Sequence, residues 1–230
     1  MEDRYAIYFA PEEGSALAEL GEFWLGRNND LTAPPQVPEL DGLDPAVWQE
    51  LTEVPRLYGF HATLKPPFNL ESRYSREYLV AYAMSFAASV GPITLPKLKL
   101  VRKGKFFALV PDGDFDAVRK LSDRCVQEFD EFRSPQSLED EERRRKAGLT
   151  PNQTKMLEKW GYPYVFEEFE FHMTLTNAIE DQELADQLEK ILTPLVEKAC
   201  EAPIVVKEIC LFYQEGRSVP FKLIERLPLG

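Results

Sequence analysis

The chain has 230 residues, 44% of them apolar and 12% aromatic, with a formal net charge of −12. That length and apolar content support one large domain or two small lobes around a packed core. The acidity disfavours binding of long nucleic acid, because counterion release needs clustered cations; a small anionic ligand still suits a locally basic cleft. Cys125, Cys200 and Cys210 are an odd number at spacings that suggest neither a disulfide framework nor a zinc site, so reduced, buried thiols in a cytoplasmic protein are expected. Met1 to Ala10 holds acids beside one Arg and no long apolar run, so neither a signal peptide nor a membrane anchor is expected there.

Along the chain, Arg4 to Ala10 alternates, with Tyr5, Ile7 and Phe9 on one face and Arg4, Ala6 and Tyr8 on the other, which predicts a half-buried strand. Gly14 to Leu25 has helical spacing and a stop at Gly26. Asn28 to Pro38 reads as a loop, and Asp44-Pro45 opens a short helix ending at Leu51. Leu57 to Lys65 reads as a strand stopped by Pro66-Pro67. A helix over Ser75 to Val90 follows, then strands Ile93 to Arg102 and Lys105 to Pro111, then a helix from Asp114 to Phe132. Residues 134–162 read as a helical insertion between two lobes. Within it, the charge run Glu139 to Lys146 reads as a solvated helix face, and Thr150-Pro151 opens a helix to Trp160. Glu168 to Thr176 is the next expected strand. A helix over Glu180 to Ala199, kinked or broken at Pro194, and strands Pro203 to Tyr213 and Val219 to Leu227 complete the chain.

The two histidines occupy the same local frame. Phe60-His61-Ala62-Thr63-Leu64 and Phe171-His172-Met173-Thr174-Leu175 both read Phe-His-x-Thr-Leu. On a strand, the i, i+2 spacing sends His and Thr out on one side while the apolar residues face the core. Lys65 falls on the His61/Thr63 face by the same count, and Glu170 and Thr176 fall on the His172/Thr174 face. In each half the motif strand precedes a helix and a two-strand hairpin, the pattern of an internal duplication. Two imidazoles, one neutral and one protonated, can serve as general base and general acid on opposite sides of a phosphorus atom, while the Thr hydroxyls donate to its non-bridging oxygens. No Gly-rich phosphate loop of the ATP-binding type, nucleophile elbow or metal-ligand spacing is present in the sequence.

These motifs resemble the signature of the two-histidine (2H) phosphoesterase superfamily, which includes bacterial RNA 2′,5′-ligase-like proteins and cyclic nucleotide phosphodiesterases. Arg4 to Ala10, Tyr58 to Lys65 and Trp160 to Phe169 are similar to a branch of it associated with bacterial phosphonate-utilisation operons. The resemblance covers nearly the whole chain, residues 1–230. It implies a single α+β domain, bilobal and pseudo-twofold, with antiparallel sheets lining a central cleft and helices outside. It also implies phosphoester chemistry without metal or other cofactor on a small phosphorylated substrate, either a 2′,3′-cyclic nucleotide or a cyclic ribose phosphate. His61 and His172 are then the catalytic pair, and Thr63 and Thr174 the phosphate-binding residues. Lys65, Arg4, Tyr8, Arg102 and Tyr164 are candidate substrate contacts; a solvated strand end accounts for Lys65 equally well, and core packing or insertion anchoring is the favoured reading of the other four. The rival reading is an accessory or sensor protein that binds a phosphorylated ligand without turning it over. RNA end processing is disfavoured by the net charge unless the cleft is basic. The sequence leaves oligomeric state and the assignment of acid and base open.

Overall fold

The computed structural model describes residues 3–146 and 148–230. Met1 and Glu2, in the stretch read for a leader, and Ala147, in the 134–162 segment, lie outside the described residues. Strand β1, Arg4–Phe9, alternates as the sequence predicts, but both of its faces are buried. Tyr5, Ile7 and Phe9 enter the main core, while Ala6 and Tyr8 join Cys210, Phe212 and Phe221 in a smaller cluster. Helix α1, Ala16–Leu25, is capped by the Ser15 side chain and stops at Gly26, as expected.

Helix α2, Pro45–Tyr58, passes its expected end at Leu51 and runs through Pro55. Proline lacks the N–H that would bond to the carbonyl one turn back, so Leu51 loses its helical donor. The Asn177 N–H donates to that oxygen at 2.6 Å. The Asn177 side chain donates to Glu50 O at 2.7 Å and accepts from Val54 N–H at 3.2 Å. Bonds from the far half of the chain therefore satisfy a helix that local propensity would end.

Leu57 and Tyr58 consequently close a helix instead of opening a strand, and β2 is Ala62–Asn69. Pro66 and Pro67 lie inside it and do not stop it. Against β1 the register runs Tyr8↔Thr63, Ile7↔Lys65, Tyr5↔Phe68, which marks two irregularities. Such bulges are where a strand accommodates residues that cannot donate to the ladder.

Helix α3, Arg76–Ala88, precedes β3, Ile93–Leu95, and β4, Leu98–Lys103, so the single strand expected over Ile93 to Arg102 is split at Pro96-Lys97. Strand β5 is Phe106–Pro111 and helix α4 is Asp116–Glu128, with Asp130–Phe132 a separate 3-10 turn. Helices α5, Leu138–Arg145, and α6, Pro151–Trp160, fill the 134–162 segment; α6 begins with a full capping box on Thr150. Of the strand expected over Glu168 to Thr176, only β6, Met173–Thr174, forms, preceded by a 3-10 turn at Phe166–Glu168. Helix α7, Gln182–Ala199, is continuous through Pro194. Strands β7, Ile204–Val206, β8, Glu208–Gln214, and β9, Lys222–Pro228, end the chain; the last begins three residues later than expected, and β7 and β8 divide what reads as one strand.

The fold is α+β. Both halves keep the expected order of motif strand, helix and hairpin: β2-α3-β3-β4-β5 and β6-α7-β7-β8-β9. Their pairing is exchanged. The main antiparallel sheet has the order β4-β5-β6-β2-β1-β8-β9, so each motif strand lies on the side of the other half's hairpin, while β3 and β7 split off and pair with each other. Among the described residues, a single pair, Ala62↔Met173, joins β2 to β6 and thus the two half-sheets. Helices α1, α3, α4 and α7 place apolar faces on the main core, for example Trp24, Phe86, Leu121 and Leu192. Indole N–H groups tie the helical layer down, Trp24 to Leu175 O and Trp48 to Trp24 O, each at 2.8 Å. Among the described residues, no helix is long and apolar enough to cross a membrane.

If Asn177 clamps α2 across Pro55, Asn177→Ala should lower the free energy of unfolding by about 1 kcal/mol, for two lost side-chain hydrogen bonds to main-chain groups of exposed residues. A denaturant midpoint unchanged within error would show that the clamp contributes nothing.

Candidate active site

The backbone around His61 is fixed on both sides. Gly59 has φ +84°, and a Cβ there would collide with Asn29 Oδ1. Glycine is needed both for the conformation and for the approach. Asn29 in turn accepts from Phe60 N–H and donates to Phe60 O, each at 2.9 Å. The Phe60 ring occupies the space where a side chain on Gly21 of α1 would stand. The Tyr8 ring stacks on the His61 imidazole at 3.8 Å between centroids and 23° between planes.

The two histidines share one orienting device. His61 Nδ1 lies 2.9 Å from Gly59 O, and His172 Nδ1 lies 2.8 Å from Glu170 O. A carbonyl only accepts, so Nδ1 carries the proton in both rings and Nε2 is the working nitrogen. Thr63 Oγ1 is 3.3 Å from His61 Nε2 and donates to it when the ring is neutral. Burial pushes both imidazoles down to about 4; the neighbouring His172 adds to the effect at His61, and Lys103 adds to it at His172. Both rings are therefore neutral near pH 7.

The motif residues open onto two adjoining cavities. One, of about 510 Å³, is lined by Arg4, Tyr8, Tyr58, His61, Thr63 and Thr174 among others. The second, of about 420 Å³, is lined by Thr63, Lys103, Tyr164, Glu170 and His172 among others. Thr63, Pro66 and Tyr162 border both, so the cavities form one cleft with a histidine in each part. Arg4 is aimed into it by two bonds from its guanidinium to Gln214 Oε1, one of them Nε–H at 2.8 Å. Tyr164 stands at the rim, 43% exposed, against Tyr162.

Two expected contacts are elsewhere. Lys65 does not share the His61/Thr63 face. The bulge at Thr63–Lys65 breaks the alternation and places Lys65 opposite Ile7, on the core side. There it is 1% exposed, donates to Val126 O at 3.0 Å and pairs with Asp130 at 3.8 Å; desolvation lowers its pKa to about 8. Arg102 turns from the cleft to bond Gln182 of α7 at 2.7 Å. The next residue on β4, Lys103, takes the opposite face and lies in the cleft, paired with Glu170. Thr176 is also buried, where it accepts from Phe107 N–H at 2.9 Å.

Residues that sequence reasoning missed are Tyr58, Lys103, Arg143, Arg144 and Arg217. Arg143 and Arg144 belong to the charge run read as a solvated face, and both line the larger cavity with Arg217. A helical wheel of α5 carries almost no apolar residues to orient it, so periodicity gives no signal for which charges turn inward. Among the described residues, no group of three or more His, Cys, Asp or Glu side chains is placed to hold a metal ion.

The chain is 35% identical over 230 residues to "Ribose 1,5-bisphosphate phosphokinase PhnN" of Janthinobacterium sp. (strain Marseille), covering 99% of this chain and 51% of that protein. It is 29% identical over 220 residues to the protein of the same name from Laribacter hongkongensis (strain HLHK9), covering 96% and 50%. The chain thus spans about half the length of the curated relatives it matches. Among solved structures, E. coli LigT complexed with 3'-AMP aligns over 100% of this chain and 99% of its own, at 14% identity and a TM-score of 0.42. TT0787 of Thermus thermophilus aligns over 100% and 98%, at 15% identity and a TM-score of 0.44. The model of the family described as "Protein of unknown function (DUF1045)" matches residues 63–222, from the first motif threonine through the second motif to β9, and the chain belongs to that family.

Proposed function

We propose that the protein is a metal-independent phosphoesterase, a cyclic phosphodiesterase that opens a 2′,3′-cyclic nucleotide or a cyclic ribose phosphate. The observation that carries this reading is the matched orientation of the histidines: each Nδ1 is held by a main-chain carbonyl two residues earlier, which leaves Nε2 for the ligand. A neutral Nε2 takes a proton from water as its oxygen bonds to phosphorus. A protonated Nε2 gives its proton to the ester oxygen as that P–O bond breaks, and the product is a phosphomonoester. Thr63 and Thr174 donate to the non-bridging oxygens, where charge builds. The phosphate anion itself favours the imidazolium, offsetting the burial that keeps both rings neutral beforehand. The whole chain, residues 1–230, then works as one bilobal unit, with 134–162 inserted beside the cleft.

The name of the curated relatives supports ribose phosphates as the chemical setting, and with them phosphonate metabolism. The kinase activity in that name is said of proteins about half of whose length this chain spans, and it is not part of the proposal for this chain. Non-catalytic binding of a phosphorylated ligand is the rival. It gives no reason for two histidines with matched tautomers where Arg or Lys would hold an anion. The arginines make the cleft basic despite the net charge, which keeps RNA-type ends among the substrates to be tried.

In EDTA, the protein should hydrolyse at least one member of a panel of nucleoside 2′,3′-cyclic phosphates, ribose 1,2-cyclic phosphate and 2′,5′-linked dinucleotides. His61→Ala and His172→Ala should each lower kcat by about 10²–10⁴-fold, and Thr63→Ala or Thr174→Ala by about 10–100-fold. Activity that needs an added divalent metal would refute the metal-free mechanism, and ligand binding without turnover would favour the sensor.

With only two histidines, ring proton resonances report each site directly. Both should titrate near pH 4 in the free protein, well below the ordinary 6.5 or so. Between those values the unfolded chain binds protons that the folded chain refuses, so stability falls as pH drops from about 6.5 towards 4. Saturating inorganic phosphate should raise the midpoint of at least one ring. Two unshifted titrations near 6.5 would contradict both the burial and the coupling.

A further inference from the structure

We infer that the cleft carries a second phosphate subsite, made by arginines of α5 and the sheet, and that the substrate therefore bears a phosphomonoester remote from the ester that is opened. The inference rests on the reading that the His/Thr pairs hold one phosphate, and adds a second anion position to it. Beside the larger cavity lies a smaller one of about 170 Å³. Arg4, Arg143, Arg144 and Arg217 line both, but none of His61, Thr63, His172 or Thr174 reaches the smaller one. The arginines thus face a space that the motif residues do not. Arg133 borders that space too, but is paired with Asp130 outside it. Among the described residues, Asp140 is the one acidic residue lining it. The other four guanidinium groups against one carboxylate leave a strong local excess of positive charge in a chain of net charge −12.

These arginines are oriented before any ligand arrives. Asp140 pairs with Arg143 at 2.7 Å and also with Arg217. Gln214 holds Arg4, whose guanidinium carbon lies 5.2 Å from the centre of the Phe221 ring. Arg144 stacks over Tyr162 at 4.8 Å, and among the described residues its buried Nε has no hydrogen-bond partner. The hydrogen bonds and ion pairs occupy part of a five-donor fork, while the ring contacts engage only the guanidinium face; a fork fixed in place is suited to bidentate capture of phosphate oxygens. The cavity volume is below the 300 Å³ or so of a typical small-molecule pocket, which fits one phosphate group and not a further nucleotide. The excess of cations favours a dianionic monoester over the single charge of a chain-continuing diester.

The test is calorimetric binding in EDTA of adenosine 2′-phosphate, adenosine 2′,5′-bisphosphate and a dinucleotide that carries a 2′-phosphate and a 5′ diester. Binding needs no turnover, so failure of the phosphodiesterase reading is distinguishable from failure of this one. The bisphosphate should bind at least ~10-fold more tightly than the monophosphate, with the dinucleotide close to the latter, and the gap should shrink as salt rises. Arg143→Gln and Arg144→Gln should reduce the bisphosphate advantage to about 2–3-fold while leaving monophosphate affinity within ~2-fold; Arg144→Lys, which keeps charge but not the fork, should fall between. Unchanged melting temperatures would certify folding, and Arg143→Gln, which alters an exposed side chain, serves if Arg144→Gln is unstable. Equal affinity for mono- and bisphosphate would overturn the subsite. Equal losses for both ligands in the variants would place the arginines on the motif phosphate. A dinucleotide as tight as the bisphosphate would make the position a polymer contact.

Discussion

The site depends on one backbone contact, the Ala62↔Met173 pair that joins the half-sheets. Each partner is the residue between a motif His and its Thr. Pairing these two residues brings both motifs to the same seam, and strand alternation sends their polar neighbours to the cleft side of it. Ala62 and Met173 are themselves fully buried, so the seam has core on one side and the cleft on the other. Among the described residues, that single pair sets the register between β2 and β6.

Around that seam the halves are not equivalent. Tyr8 lies opposite Thr63 in β1, whereas Ala108 lies opposite Thr174 in β5. His61 is therefore stacked under an aromatic ring, fastened through Gly59 and Asn29, and bonded to its Thr. His172 has the Phe106 ring at 6.3 Å and the Lys103–Glu170 ion pair beside it. The two motif copies share a local frame, and different packing gives each imidazole its own electrostatic surroundings.

Net charge and local charge also part company. A chain of net charge −12 gathers four arginines at one end of its cleft, and Asp140 fixes the direction of two of them. A focused field of this kind acts on small ligands that enter the cleft, while the acidic exterior repels extended polyanions. Under the proposed function, that pattern suits a small, multiply charged phosphoester.

Local sequence encodes the α+β class, the order of strand, helix and hairpin in both halves, and the His and Thr residues that share a face. These follow from alternation, capping residues and a repeated motif, which neighbouring residues specify without help from distant ones. Arg4 and Tyr8 share a face by the same alternation, and both border the cleft while packed in the interior. Long-range contacts set the remainder. A bulge, set by pairing with β1, sent Lys65 to the core; the packing of β4 on α7 turned Arg102 away and Lys103 in; Asn177, from the far half, carried α2 through Pro55. The inward turn of Arg143 and Arg144 was equally hidden, because a helix with no apolar stripe takes its orientation from partners distant in sequence, here Asp140 with Arg217 and Arg144 with Tyr162.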